Sequence, residues 1–228
     1  MNISLSPRLQ ACCDLVSPGD RVADIGCDHG YLGIHLLLSG KAVFVICADL
    51  RPMPLQSAVK NADKYGCKDR MAFYLSDGAR DIPQDFDVLV CAGMGADTII
   101  SILEAAPWLR NDSYRLILQC QSKSHTLRQY LSSNQWTISA ERVVKDGKFL
   151  YTVMDVRFSP DTKLLSPGQC YFSPALEKET TPETASYFHQ ILFSLRRAVT
   201  GQADRADKYK TEALRELEQN TAPQYTKE

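Results

Sequence analysis

Asp24, Gly26 and Gly30 lie close together near the amino terminus and have the types and spacing of a ligand-binding turn. Asp24 belongs to a short apolar run, the two glycines follow it, and an apolar, helix-like segment then covers residues 31–38. Strand, glycine turn and helix in this order are typical of the first unit of a nucleotide-binding α/β sheet. Ligands of such sheets bind beyond the carboxyl ends of the strands, so this turn is a candidate binding site.

Asp28 indicates which kind of ligand the turn accepts. A dinucleotide-binding turn has a second glycine two positions after the first, which lets the backbone approach a pyrophosphate. A carboxylate at that position repels a pyrophosphate and attracts a cation. S-adenosylmethionine (SAM) carries a sulfonium and an ammonium group and no phosphate, so the turn favours SAM. Asp24 also favours SAM, because a buried carboxylate needs hydrogen-bond donors such as turn amides or a ligand ammonium. A glycine turn of another α/β protein is the alternative.

Acidic residues and glycines also end the next three predicted strands. Asp49 lies about twenty residues beyond the glycine turn, where an acidic residue binds ribose hydroxyls in such folds. Asp77 and Gly78 follow the third strand, which places Asp77 to accept a hydrogen bond from the adenine amine. Gly93 and Gly95 follow the fourth strand and predict a second flexible turn at the same edge. An ordinary turn role is the alternative for both aspartates.

The composition limits the class of protein. The chain has 228 residues and is 44% hydrophobic, which suits one core with a smaller appendage. Its net charge of −1 leaves no global basic surface for nucleic acid. We find no transmembrane run and no signal-peptide pattern, so we expect a cytoplasmic protein that does not bind membranes. The eight cysteines form no Cys-x-x-Cys pair and there are four histidines. We therefore predict reduced, buried thiols and no metal site.

The elements that position these residues follow from the apolar pattern. Ser6 and Pro7 predict a helix start with Ser6 as the cap. A fifth apolar strand follows the fourth and ends before Gln121. Two further strands, 136–144 and 149–158, predict an antiparallel hairpin built on an Asp-Gly turn.

The character of the chain changes at residue 159, so we predict domains at 1–158 and 159–228. Prolines and glycines break the pattern and indicate a linker or docking segment. One helix starts at Pro182 and a second runs from about Ala203 to Gln219, and the two are expected to pair antiparallel. Their basic residues are either phosphate contacts or part of a solvated face with matching acidic residues. These residues are Arg196, Arg197, Arg205, Lys208, Lys210 and Arg215.

Six short motifs occur in a fixed order within about residues 5–155. They are Leu5-Ser-Pro-Arg-Leu9, Ala23-Asp-Ile-Gly-Cys-Asp-His-Gly-Tyr-Leu32, Asp77-Gly78, Ala92-Gly-Met-Gly95, Leu116-Ile-Leu-Gln119 and Asp146-Gly-Lys148. The second motif combined with the fourth is the most specific part. In these motifs and their order, the chain resembles the bacterial tRNA methyltransferases that modify N1 of adenine 22, the TrmK family.

The resemblance implies a fold, a cofactor and a substrate. The fold class is α/β, a seven-stranded class I (Rossmann-like) SAM-dependent methyltransferase sheet with a small C-terminal α-helical, coiled-coil-like domain. SAM is the expected cofactor, tRNA the expected partner, and a monomer the favoured state. The cofactor-binding positions are Asp24, Gly26, Asp28, Gly30, Asp49, Asp77, Gly78, Ala92 and Gly93. The positions near the methyl group and the target base are Asp28, His29, Tyr31 and Gln121, and those assigned to RNA are Arg8 and Gly95.

The chemistry expected of such an enzyme is mainly alignment. The adenine N1 is itself a nucleophile, so holding it in line with an activated methyl group supplies much of the rate. The base is expected to turn out of its stack and to rest on Tyr31. Asp28 is placed to stabilise the cationic product, and His29 either relays a proton from the exocyclic amine or is an ordinary turn histidine.

Two departures from the family pattern bear on activity. Where the family reads Gln-Pro-Asn after the fifth strand, this chain has Gln119-Cys120-Gln121, and Ala96 replaces the last glycine of Ala-Gly-Met-Gly-Gly. Gln121 offers the amide of the missing asparagine on a longer side chain. A methyltransferase of a small molecule and a SAM-binding protein without catalysis are therefore alternatives. A nicotinamide oxidoreductase ranks below both, because Asp28 lies where a pyrophosphate would approach.

Overall fold

The protein is built on a seven-stranded mixed sheet. The computed structural model describes residues 3–200, 207–220 and 225. The strands are β1 (Asp20–Ile25), β2 (Ala42–Asp49), β3 (Met71–Leu75), β4 (Val88–Met94), β5 (Arg115–Cys120), β6 (Trp136–Asp146) and β7 (Phe149–Phe158). Their order is β3-β2-β1-β4-β5-β7-β6, with β1 to β5 parallel and β7 antiparallel to both neighbours. The Rossmann-like fold class is confirmed.

Helices cover both faces of the sheet and continue beyond it. They are α1 (Pro7–Leu15), α2 (Tyr31–Leu38), α3 (Pro52–Lys64), α4 (Ala96–Ala105), α5 (Ser124–Ser133), α6 (Pro167–Tyr171), α7 (Pro182–Thr200) and α8 (Lys208–Asn220). Helix α1 starts where the sequence predicts, but Ser6 does not cap it with its side chain, since its buried Oγ has no hydrogen-bond partner within the described part of the chain. Pro7 at the first position is therefore the stronger start signal.

Two apolar cores lie on the two faces of the sheet. The parallel strands contribute to both cores, which explains why their sequences are continuously apolar rather than alternating. All eight cysteines are free and buried, as predicted. Burial raises the pKa of the thiols of Cys12 and Cys91, and a hydrogen bond with Cys27 together with burial raises that of Cys47. These thiols therefore serve as small apolar core residues.

The β6–β7 hairpin forms as predicted, but its turn is shifted by one residue. Asp146 pairs with Phe149, so the two turn residues are Gly147 and Lys148. Gly147 has φ +61°, a value that suits the first position of a tight hairpin turn. The prediction of a turn centred on Asp-Gly was wrong because Asp146 still belongs to the strand.

A buried ion pair ties the segment after residue 159 to the sheet. Arg128 of α5 and Glu141 of β6 are fully buried, with Nη2 2.7 Å from Oε1. Arg128 also donates two hydrogen bonds of 2.9 Å to the carbonyl oxygens of Cys170 and Tyr171, at the end of α6. Ser173 Oγ donates to Glu141 Oε2 at 2.6 Å. The segment is thus docked on α5 and β6 through polar groups that satisfy one another.

Helices α7 and α8 pack together over α6. The Phe188 ring lies 5.8 Å from that of Tyr225, and Arg196 Nη2 lies 3.0 Å from Glu218 Oε1. Phe188 precedes Arg196 in α7, whereas its partner Tyr225 follows Glu218, the partner of Arg196. The two segments therefore run in opposite directions, which agrees with the predicted antiparallel pair. Residues 203–206, including Arg205, lie outside the described residues, and the described helix begins at Lys208. None of the helices within the described ranges has the length and apolarity needed to cross a membrane.

Candidate functional site

A cavity of about 750 Å³ opens at the carboxyl ends of the parallel strands. Twelve of the residues singled out from the sequence line it. They are Arg8, Asp24, Gly26, Asp28, His29, Tyr31, Asp49, Asp77, Gly78, Ala92, Gly93 and Gln121. Residues that are up to 113 positions apart in sequence thus meet at one sheet edge, as the parallel topology requires.

The glycine turn after β1 is held in a left-handed conformation. Gly26 has φ +72°, and its N–H and that of Cys27 donate to the Ala48 carbonyl oxygen at 2.8 and 3.0 Å. Asp28 has φ +49°, uncommon for a residue with a side chain. Such backbone strain persists where the surroundings enforce it and is concentrated at ligand sites.

Asp24 is a buried carboxylate at the floor of the cavity. It is 3% exposed, accepts a hydrogen bond from the Gly33 backbone N–H, and its Oδ2 has no hydrogen-bond partner among the residues that the structure describes. Burial, and secondarily the nearby Asp49 carboxylate, raise its pKa to about 7. An unpartnered buried carboxylate oxygen is costly, and a cationic or hydrogen-bond-donating ligand would remove that cost.

The Asp24 carboxyl makes stability depend on pH. The unfolded chain releases this proton near pH 4, whereas the folded chain keeps it until about pH 7. The contribution of Asp24 to the free energy of unfolding therefore falls as pH rises between these values. We expect Asp24→Asn, which cannot ionise, to become more stable relative to wild type by on the order of 4 kcal/mol from pH 4 to pH 8. Urea unfolding without SAM at both pH values measures this difference, and a difference that stays constant with pH would contradict it.

Asp49 holds the turn from the end of β2. It is 6% exposed, its Oδ2 accepts the Asp28 backbone N–H at 3.2 Å, and its Oδ1 accepts the Arg51 N–H at 2.9 Å. A carboxylate offers about four acceptor positions, so roughly two stay available to a ligand. Two neighbouring hydroxyl groups, such as those of a ribose, suit this arrangement.

Two glutamines organise the ends of β4 and β5. Gln119 is fully buried, and its Oε1 accepts the Gly93 backbone N–H at 2.9 Å. The Gln121 backbone N–H donates to the Met94 carbonyl oxygen at 2.8 Å, and its side chain lines the cavity. Gln119 therefore shapes the second glycine turn, while the amide of Gln121 is free to meet a ligand.

Half-exposed polar and aromatic groups surround the opening of the cavity. His29 Nε2 lies 3.7 Å from Asp28 Oδ2, and the His29 and Tyr31 rings are 6.0 Å apart. Arg8 lies over the Tyr151 ring at 5.7 Å, and its Nε is 3.7 Å from Asp146 Oδ2. A planar group that enters the cavity would meet the Tyr31 ring, which is 40% exposed.

Gly30 and Gly95 border the cavity without lining it. Gly95 precedes α4, and a Cβ there would lie 3.1 Å from Ser122 Oγ. Gly30 precedes α2 with φ +72°, and a Cβ there would lie 2.9 Å from the Ala58 Cβ. The structure thus gives Gly30 a clear packing role between α2 and α3.

The steric role of Gly30 can be separated from its backbone conformation. Gly40 has the same φ of +72°, and a Cβ there would meet nothing within 4 Å. We expect Gly40→Ala to lower the free energy of unfolding by about 1–2 kcal/mol, the cost of a left-handed residue. Gly30→Ala should cost about 1–3 kcal/mol more, because the new methyl group overlaps Ala58. Urea unfolding of both variants measures the difference, and equal losses would show that the contact with Ala58 is relieved without cost.

Sequence reasoning missed the contribution of α4 to the site. Asp97, Thr98 and Ser101 line the cavity, as does Ile102. Their spacing places them on the side of the helix opposite to Ile99 and Leu103, and this signal was present in the sequence. Across the ranges that the structure describes, no three His, Cys, Asp or Glu side chains are grouped to hold a metal ion.

The cavity fits SAM in size and in chemistry. It supplies the unpartnered Asp24 Oδ2 for a cation, free acceptor positions on Asp49 for a ribose, and two glycine turns that admit a ligand against the backbone. A small-molecule site typically has a volume of about 300–1,000 Å³. A pyrophosphate would face the Asp28 carboxylate, which argues against a dinucleotide.

Comparison with known proteins agrees with this assignment. The family model described as a methyltransferase domain matches residues 5–154. The Bacillus subtilis tRNA (adenine(22)-N(1))-methyltransferase is 30% identical over 153 residues, which cover 67% of this chain. That alignment covers 64% of the relative, so in sequence the chain spans less than two thirds of its length.

Solved structures extend the match to nearly the whole chain. The crystal structure of the B. subtilis M1A22 tRNA methyltransferase TrmK has a TM-score of 0.80 and 26% identity, and the match covers 99% of this chain and 98% of that one. A Streptococcus pneumoniae protein solved in complex with SAM has a TM-score of 0.82 and 27% identity, covering 94% and 98% of the two chains. The family model, the fold and the geometry of the cavity agree, and the chain belongs to the TrmK family of tRNA methyltransferases.

Proposed function

We propose that this protein transfers a methyl group from SAM to N1 of adenine 22 in tRNA. The observation that carries the proposal is the set of groups in the cavity: a buried, unpartnered Asp24 oxygen beside Asp49, with Tyr31 and Gln121 near the opening. The names of the relatives supply the substrate, since the B. subtilis relative is a tRNA (adenine(22)-N(1))-methyltransferase.

The residues that would hold the cofactor are divided between its two ends. Asp49 would accept hydrogen bonds from the ribose hydroxyls. Asp77, which forms an ion pair with Arg80 at 3.0 Å, would accept a hydrogen bond from the adenine amine. Asp24 and the backbone around Gly93 would hold the charged methionine end. When bound, SAM supplies a methyl group activated by its sulfonium.

The groups at the opening of the cavity suit a purine base. Tyr31 can stack on an adenine that has left its helix, and the Gln121 amide can hydrogen-bond to its edge. Asp28 would stabilise the positive charge that N1 methylation creates, and His29, 3.7 Å from Asp28, is placed to take a proton from the exocyclic amine. Positioning of N1 remains the main contribution of the protein.

The other site residues predicted from the sequence belong to the same proposal. Gly78, Ala92 and Arg8 line the cavity. Gly78 and Ala92 would contact the cofactor, and Arg8 would contact the RNA. We further propose that the protein acts as a monomer in the cytoplasm, where tRNA is modified.

Methyl transfer to tRNA tests the proposal directly. Purified protein is incubated with radiolabelled SAM and total bacterial tRNA that lacks the modification, and the tRNA is digested to nucleosides and mapped. Label in 1-methyladenosine at position 22 is the expected result, and a tRNA with guanine at position 22 should receive none. SAM binding without any label in tRNA would favour a small-molecule substrate or a non-catalytic role for the Gln119-Cys120-Gln121 site. Absence of SAM binding would overturn the cofactor assignment.

A further inference from the structure

The tip of the β6–β7 hairpin projects past the carboxyl edge of the sheet, on the side where the cavity opens. Strand β5 ends at Cys120, which pairs with Thr152, whereas β7 begins three residues earlier at Phe149. At the usual rise of a strand, the tip extends roughly 10 Å beyond the end of β5. The hairpin tip therefore lies at the same edge of the sheet as the cavity.

One face of this tip carries two neighbouring aromatic rings, each with a cationic side chain against it. Phe149 and Tyr151 point to the same face as Val153, which is buried in the core that contains α1. The Phe149 and Tyr151 rings are 6.2 Å apart, and Lys148 Nζ lies 5.4 Å from the centre of the Phe149 ring. Arg8, which lines the cavity, covers Tyr151 at 5.7 Å. We name these four residues, Arg8, Lys148, Phe149 and Tyr151, the hairpin platform.

The platform has binding capacity that the fold does not use. Phe149 is 55% exposed, unusual for a large aromatic side chain. Among the described residues, the buried Arg8 Nε has no hydrogen-bond partner, and the Asp146 Oδ2 with which it forms an ion pair is 3.7 Å away. Within the part of the chain that the structure describes, Lys148 forms no ion pair. Exposed aromatic rings with cationic side chains beside them are the pattern of a surface that binds single-stranded or unstacked nucleic acid.

We propose that the hairpin platform binds the tRNA beside the target nucleotide. A base next to the flipped adenine stacks on Phe149, and Lys148 and Arg8 contact the adjoining phosphates. The Tyr151 ring packs against the Arg8 guanidinium. The inference rests on the proposed function, and it adds the surface that holds the RNA once the adenine has entered the cavity.

Phe149→Ala and Lys148→Gln test the platform, with a control on α7. Phe193 is 64% exposed and has Arg197 5.8 Å over its ring, so Phe193→Ala removes a similar exposed aromatic–cation pair elsewhere. The measurements are the dissociation constant for tRNA at several salt concentrations, KM and kcat for tRNA, and the dissociation constant for SAM. Phe149→Ala should weaken tRNA binding about tenfold, as expected for the loss of one base stack. Lys148→Gln should reduce the slope of log affinity for tRNA against log salt concentration by about one, which corresponds to one released counterion.

The outcomes separate this inference from the proposed function. A raised KM for tRNA with unchanged SAM binding, absent in Phe193→Ala, supports the platform. Wild-type tRNA binding by Phe149→Ala, in an enzyme that methylates tRNA, overturns the platform and leaves the proposed function intact. Equal losses in Phe149→Ala and Phe193→Ala would also overturn it, since the effect would not belong to the hairpin. A wild-type protein that binds SAM but neither binds nor methylates tRNA would overturn both proposals.

Discussion

Asp49→Ala is expected to weaken SAM binding about 100-fold or more and to remove methylation at SAM concentrations that saturate the wild type. The carboxylate accepts the backbone N–H groups of Asp28 and Arg51, and we assign its remaining acceptor positions to the ribose hydroxyls. Each hydrogen bond to a charged group contributes about 1.5–3 kcal/mol, so two lost ribose contacts account for this loss. Titration calorimetry with SAM measures the dissociation constant directly.

Asp87→Ala is the matched control for this experiment. The Asp87 carboxylate also accepts a backbone N–H, that of Arg21 at 2.8 Å, but it precedes β4 at the opposite edge of the sheet. Both variants lose a carboxylate that holds backbone, so a general loss of stability should affect them alike. SAM affinity should fall only in Asp49→Ala. An unchanged affinity in that variant would show that the ribose does not bind at the end of β2.

Arg128→Met is expected to lower the free energy of unfolding by about 3–5 kcal/mol, the largest stability effect that we predict. The substitution leaves the Glu141 carboxylate fully buried without its cation, and it leaves the carbonyl oxygens of Cys170 and Tyr171 without a donor. Urea unfolding at pH 7 measures the free energy of unfolding. In the variant, the buried Glu141 carboxyl would either stay charged without its cation or take up a proton, and both cost free energy.

A surface ion pair provides the comparison for Arg128. Arg196 Nη2 lies 3.0 Å from Glu218 Oε1, but the two side chains are 59% and 42% exposed. Arg196→Met should therefore change the free energy of unfolding by no more than about 1 kcal/mol. If Arg128→Met proved as mild as Arg196→Met, water or a rearranged α6 would have to satisfy Glu141, and the docking of the C-terminal helices would not depend on this pair.

Most of the sheet could be predicted because parallel strands leave a strong record in sequence. Most of a strand such as β2 is buried on both faces, from Val45 onward, so its residues are apolar without interruption, and a polar residue such as Asp49 marks its end. The positions of the ligand-binding residues follow from the same rule, since the ends of parallel strands share one edge. This is why residues as distant as Asp24 and Gly93 could be assigned to one site, whereas Arg8 and Gln121 were assigned from the family resemblance.

The features that escaped prediction depend on contacts between distant segments. The residue types of Arg128 and Glu141 suggest surface positions, and only the docking of α6 reveals a buried pair. Ser6 occupies the predicted cap position, yet its side chain does not make the capping bond, because local preference does not fix the side-chain direction. The cavity-facing side of α4 could have been predicted, since Asp97 and Ser101 repeat at helical spacing.

The eight buried thiols give the protein an internal set of probes for local opening. A thiol reagent reacts only with an exposed, ionised cysteine, and these cysteines are buried. The rate at which each one is labelled therefore reports how often its surroundings open. Cys170 lies in α6 beneath the C-terminal helices, whereas Cys91 lies in the centre of the sheet. A comparison of their labelling rates would show whether the helical part detaches from the sheet before the whole molecule unfolds.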